Sequence, residues 1–177
     1  MNFNTRLKIY IGIAIFLIIT FFVKVSQPSQ QLPKIGSIPQ FEFIDSNGNT
    51  VTLNNLKGKV WVADFIFTTC TMACPMMTGN MNLVHKKFKK NDDVRLVSIS
   101  VYPEYDTPDV LKEYASQYDA DTEKWLFLTG DESSVKNIIK DGFKIGDFEE
   151  IIFHSEKFAL VDKNGTIRAY YNGMKSE

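Results

Sequence analysis

Residues 59–90 read KVWVADFIFTTCTMACPMMTGNMNLVHKKFKK, and this stretch decides the fold. Lys59–Phe67 is nearly continuously apolar, the pattern of a strand buried on both faces of a sheet. Thr68 to Cys74 then reads as a loop, and Pro75 stands where a first helical residue belongs, which predicts Cys74 as the N-cap. Met77, Met81, Val84 and Phe88 recur at helical spacing, so residues 75–90 are predicted to form an amphipathic helix. A buried strand running through a short loop into a helix is the start of a βαβ unit, with both cysteines of the chain at its turn.

Working outward, the same alternation continues. Val94–Val101 (VRLVSISV) predicts a second buried strand, and Thr107-Pro108 opens a helix with Val110, Leu111, Tyr114, Ala115 and Tyr118 on one face. Trp125–Leu128 predicts a short strand. Asp131 is placed to cap a helix running through Val135, Ile138 and Ile139 to near Gly142. Phe158–Val161 and Ile167–Tyr171 flank the turn sequence Asp162-Lys-Asn-Gly165, a hairpin signal. Upstream, Phe41–Ile44 and Val51–Leu53 flank Asp45-Ser-Asn-Gly-Asn, a second hairpin. The order predicts an α/β or α+β layered domain with a central mixed sheet over residues 36–177.

The N-terminus reads differently. Ile9 to Val23 carries no charge between Lys8 and Lys24. Fifteen helical residues span roughly 22 Å against a hydrocarbon core of about 30 Å, and the flanking lysines can snorkel to extend the reach. No small-x-small cleavage site follows, so residues 1–25 are expected to be an uncleaved signal-anchor transmembrane helix and 26–35 a polar linker. Arg6 and Lys8 keep the N-terminus cytoplasmic by the positive-inside rule, which exports the domain to the periplasm or extracytoplasmic space. With 20 basic against 21 acidic residues, the near-neutral chain argues against a nucleic-acid partner. No phosphate-cradling glycine loop and no Ser/His/Asp signature is present.

The chemistry begins at Cys70 and Cys74. A helix start lends unpaired N–H groups that stabilise thiolate, and free thiols in an exported domain need a reason to persist. The pair can serve as soft ligands for copper or zinc, as a redox couple, or as a disulfide that pins the loop. A third ligand is sought among two histidines. His85, beside Lys86 and Lys87 and one position off the apolar stripe, is expected to be solvated. His154, at the start of the last strand pair, is the one that a sheet edge can bring to the loop. Met72, Met76, Met77 and Met81 cluster around the cysteines; the last two are expected in the core, whereas Met72 is free to approach a metal. Asp64 interrupts the apolar strand and either reaches solvent or, if buried, needs a partner or a raised pKa.

Together KVWVADFIFTTCTMACPMM, SVYPEYDTPDVLKEY and HSEKFALVDKNGTIRAYY resemble the Sco/SenC family of membrane-anchored copper proteins, over about Gly36 to Tyr171. The resemblance implies a thioredoxin-like fold with extra elements. It also implies that Cys70, Cys74 and His154 bind copper, as Cu(I), Cu(II) or both. The implied role is delivery of copper to, or reduction of the cysteines of, the binuclear copper site in the copper-bearing subunit of cytochrome c oxidase. A copper donor or a thiol–disulfide reductase is the further partner this implies. The alternative activity is thiol–disulfide exchange, with Cys70 attacking and Cys74 resolving. The chain departs from the family pattern at Tyr102, where an aspartate is usual, while Asp106 is retained. It also carries Phe153 where an aspartate is common before the histidine, and no counterpart of the helix that usually follows the last strand, which predicts a thinner cover on one sheet face.

Overall fold

The structure, a computed structural model, describes residues 10–20, 32–145 and 156–175. The chain divides into two compact units, Met1–Leu32 and Pro33–Glu177. In the first, residues 10–20 are helical with every side chain exposed. Among the described residues no helix is long and apolar enough to cross a membrane; the expected 9–23 span extends beyond those residues at both ends.

The second unit is built on one mixed sheet. Its strands are β1 (Gly36–Ser37), β2 (Glu42–Asp45), β3 (Thr50–Thr52), β4 (Val60–Ile66), β5 (Val94–Ser100), β6 (Trp125–Thr129), β7 (Lys157–Val161) and β8 (Thr166–Asn172), in the spatial order β1-β8-β7-β4-β5-β6-β2-β3. β4, β5 and β6 are parallel, and β7 and β2 join them antiparallel on either side. The helices are α1 (Leu53–Leu56), α2 (Ala73–Phe88), α3 (Pro108–Ser116) and α4 (Glu132–Asn137), the last continued by a π-helical turn over Ile138–Phe143. The predicted strand and helix order from Lys59 onward is present; β1 and α1 were not foreseen, and Leu53 opens α1 instead of ending a strand.

Handedness distributes the helices. The crossovers β4–α2–β5 and β5–α3–β6 step the same way across the sheet, and right-handed connection puts both helices on one face. The connection from β6 to the antiparallel β7 carries α4 over the opposite face, where Val135 and Ile138 pack with the other core. Strand alternation feeds both layers. From β4, Trp61, Ala63 and Phe65 join Leu53, Leu56, Val135, Ile139 and Phe143 in one core, while Ile66 joins Met77, Met81, Leu111, Tyr114, Trp125 and Phe127 in the other. Beside β7 and β8 the α2 layer opens as a groove of about 450 Å³ floored by Val62, Val84 and Phe158.

Packing is close where β6 ends. A Cβ added at Gly130 would stand 2.5 Å from the ring of Phe43, itself 1% exposed. Gly130→Ala is therefore expected to destabilise the domain by about 1–3 kcal/mol, the usual cost of overpacking; a urea melt with an unchanged midpoint would show that the Phe43 ring moves aside freely.

Candidate functional site

The thiol loop leaves the end of β4 and is fixed at both ends. At its start, Val101 N–H donates to the Ile66 carbonyl (2.8 Å) and continues the β4–β5 pairing by one bond. Next to it Asp106, fully buried, accepts from the Thr68 N–H (3.2 Å), the Thr68 hydroxyl (2.5 Å) and the Ser100 hydroxyl (2.6 Å). One carboxylate thus ties the loop carrying Cys70 to the turn that opens α3. Thr107 caps that helix, accepting from Val110 N–H at 3.4 Å. At its other end the loop runs into α2, whose side Cys74, Met77, Thr78, Met81 and His85 is buried.

The helix begins two residues earlier than its sequence suggests. Met72 is the N-cap, so Cys74 is not a cap but lies in the first turn, and Pro75 sits at the third helical position. Pro75 is tolerated there because the first four helical N–H groups have no intrahelical acceptor. This register buries Cys74 (5% exposed) and leaves Cys70 half-buried over the helix start, both as free thiols. The Cys74 N–H points to the Cys70 sulfur at 3.4 Å.

The two sulfurs are electrostatically unlike. Burial is the largest single influence on Cys70 and pushes its pKa up. The backbone N–H groups of Cys74, Met72 and Ala73 and the Cys74 side chain together outweigh it, and the thiol lies below its ordinary value. Burial pushes Cys74 up to about 12, with Cys70 and Asp64 adding to the rise.

Beneath the helix, Asp64 does not reach solvent. It is fully buried on the α2 side of β4, where Ser98 donates to its Oδ1 at 2.6 Å and Trp125 Nε1–H donates to the Ser98 oxygen at 2.9 Å. Its Oδ2 has no hydrogen-bond partner among the described residues. Burial raises the carboxyl to about 7, against the opposing hydrogen bond from Ser98. Ser98, Ser100 and Thr68 were not singled out from the sequence. The signal was present, since Ser98 and Ser100 fall at alternate positions of an apolar strand, on the same face as each other.

His85 is a correction. It is buried, its ring lies 5.7 Å from that of Trp125, and Nε2 accepts the Asp121 N–H at 3.3 Å. The helical repeat from Cys74 through Met81 carries position 85 onto the core side, whatever the lysines beside it. Met77 and Met81 are buried as expected, while Met72 and Met76 are exposed. His154 lies outside the described residues, and among those described no cluster of three His, Cys, Asp or Glu side chains is arranged to hold a metal.

The SCO1/SenC family model matches residues 29–177. An SCO1 protein homolog of Bacillus subtilis is 36% identical, over 96% of this chain and 91% of its own. The solved structure of BsSco, a member of the Sco family of cytochrome c oxidase assembly proteins with a disulfide switch, superposes with a TM-score of 0.72 at 38% identity, over 82% of this chain and 90% of its own. ScoI of Bradyrhizobium japonicum, solved with copper bound, superposes with a TM-score of 0.67 at 30% identity, over 80% and 91% of the two chains.

The asymmetry of the thiols predicts their reactivity. In the reduced protein at neutral pH, iodoacetamide is expected to modify Cys70 at least about tenfold faster than Cys74, because only the thiolate attacks and only Cys70 is accessible. Peptide mapping with equal rates would contradict that ordering. Asp64 predicts a pH dependence. Folding raises its pKa from 3.8 to about 7, so the native state holds the extra proton between those values. The stabilising contribution is complete below pH about 4 and is lost as the pH rises through about 7. Asp64→Asn has no such proton to lose. Its stability relative to wild type, from urea melts of reduced protein, is expected to grow by roughly 3 kcal/mol between pH 4.5 and 8. A gap independent of pH would mean that Asp64 does not titrate in this window.

Proposed function

The chain belongs to the SCO1/SenC family, and on that premise we propose that it is a copper metallochaperone whose cargo is held by Cys70, Cys74 and His154. The observation that carries the reading is the thiol pair at the β4–α2 junction. Its half-exposed member has a lowered pKa, and its partner, four residues on in the first turn of α2, is buried. Thiolates are soft ligands and an imidazole completes a set suited to Cu(I), with added ligands to Cu(II). Metal binding must displace the Cys74 proton, which burial otherwise holds tightly. The role of His154 rests on the family resemblance. A 30% identical relative has been solved with copper bound.

Residues 9–23 anchor the chain in the cytoplasmic membrane as a single-pass helix and hold the domain on the extracytoplasmic side. The receiving partner is the copper-bearing subunit of cytochrome c oxidase. Support comes from the uncharged N-terminal run and from BsSco, an oxidase assembly protein of the same family.

The unlike thiols also favour a second activity on the same sulfurs. Cys70 thiolate attacks a disulfide of a partner and releases one partner thiol; Cys74 then attacks the mixed disulfide and releases the other. The partner gains two electrons and two protons, and Cys70–Cys74 becomes a disulfide.

A Cu(I) competition titration of the full reduced chain in detergent, against a calibrated chelator, tests the chaperone. Wild type is expected to take one tight equivalent. Cys70→Ser and Cys74→Ser abolish tight uptake, and His154→Ala weakens it by about 10- to 100-fold while a Cys70–Cys74 disulfide still forms. Equal Cu(I) affinity in wild type and His154→Ala would remove the histidine from the site, and no competitive uptake by wild type would sink the chaperone reading.

A further inference from the structure

Two thioethers stand at the thiol turn and are used by nothing described so far. Met72, the N-cap of α2, is 82% exposed, and Met76, four positions on, is 53% exposed. Met77 and Met81 on the same helix are buried at 1% and 0%, so the core draws on those two and leaves the other pair to solvent. Met72, as the N-cap, and Met76, the fourth helical residue, bracket the first turn of the helix. The Cys70 sulfur, on the loop just before that turn, accepts the Cys74 N–H at 3.4 Å and lies against the backbone N–H groups of Met72 and Ala73. A methionine side chain has three rotatable bonds, and packing restrains neither of these. Their sulfurs can therefore swing to an atom that lies against the Met72 backbone.

The chemistry of this set is selective. Thioethers are soft and neutral: they favour Cu(I), take no proton in competition with it, and hold it less firmly than thiolates do. We propose that Met72 and Met76, with the Cys70 thiolate, form a sulfur-only site through which Cu(I) is taken up and released. This rests on the reading that copper is the cargo. Cys70 is common to both ligand sets, so the ion passes between them without leaving the protein. On release toward the surface, the Cys74 sulfur and the His154 nitrogen are exchanged for two thioethers, and the Cys74 thiolate regains a proton. The copper stays Cu(I) throughout and no electron moves.

The test uses the full reduced chain in detergent with 13C-labelled methionine methyls, assigned by single Met→Leu substitutions. One equivalent of Cu(I) added to the His154→Ala variant is expected to shift the Met72 and Met76 signals and leave Met174 in place. By chelator competition, His154→Ala carrying Met72→Leu and Met76→Leu is expected to bind Cu(I) at least about tenfold more weakly than His154→Ala alone, the scale on which even outer-shell partners of a metal act. Both methionines are exposed, so their replacement leaves the core intact. Unmoved Met72 and Met76 signals, or equal affinities, would overturn the thioether site even where wild type binds copper tightly through its cysteines. Failure of wild type to take up Cu(I) would overturn the cargo reading and this site with it.

Discussion

Strand β4 is hydrogen-bonded along both edges and covered on both faces, and the rest of the thiol site depends on that. Its register with β5 is unbroken from Val60 opposite Val94 to Ile66 opposite Ser100, and β7 pairs with its other edge. A strand held this way cannot slip by one residue without exchanging two packed cores, since each step moves every side chain to the other face. The end of β4 therefore delivers the following loop to one point beside the end of β5. There Asp106 gathers Thr68 and Ser100. A buried carboxylate with three donors is costly to disturb, because each donor would be left unsatisfied.

From that fixed point the thiols diverge. The helix that receives the loop is held down by Met77 and Met81, and Thr78 shares a hydrogen bond with Tyr114 of α3 at 2.8 Å. Cys74, in the first turn of the same helix, goes into the core with them. Cys70, still on the loop, stays at the surface of the turn among backbone N–H groups. Two chemically identical side chains four residues apart thus acquire opposite proton affinities. One, half-exposed and with its pKa lowered, is the readier to meet a metal or a partner disulfide. The other ionises only when something replaces its proton. This division of labour suits stepwise metal capture and stepwise thiol exchange equally, which is why the same pair supports both activities proposed for it.

Much of this was legible in the chain itself. The apolar run of β4, broken only at Asp64, cannot be solvated on either face, so it had to be a central strand. The proline after Cys74 announced a helix start, and the two cysteines just ahead of it announced thiolate chemistry. Other features could not be read that way. His85 precedes Lys86 and Lys87, and residue chemistry alone does not separate it from them; its place four residues after Met81 turns it inward against Trp125. The helix starts at Ala73 with Met72 as its N-cap, two residues before the position that Pro75 marks. Asp64 faces the side on which α2 lies, but burial needs the helix actually to cover it.

The sequence by itself therefore determined the layering of the domain and the identity of the reactive pair, because hydrophobic periodicity and residue chemistry are local properties. Only the tertiary structure decided which thiol is buried, that Asp64 is sealed beneath the helix, that Asp106 holds the loop, and that Met72 and Met76 remain in solvent. Each of these follows from residues far apart in the chain meeting across β4, β5 and α2. Burial, the quantity that sets proton affinity and access, exists only once those elements are packed together.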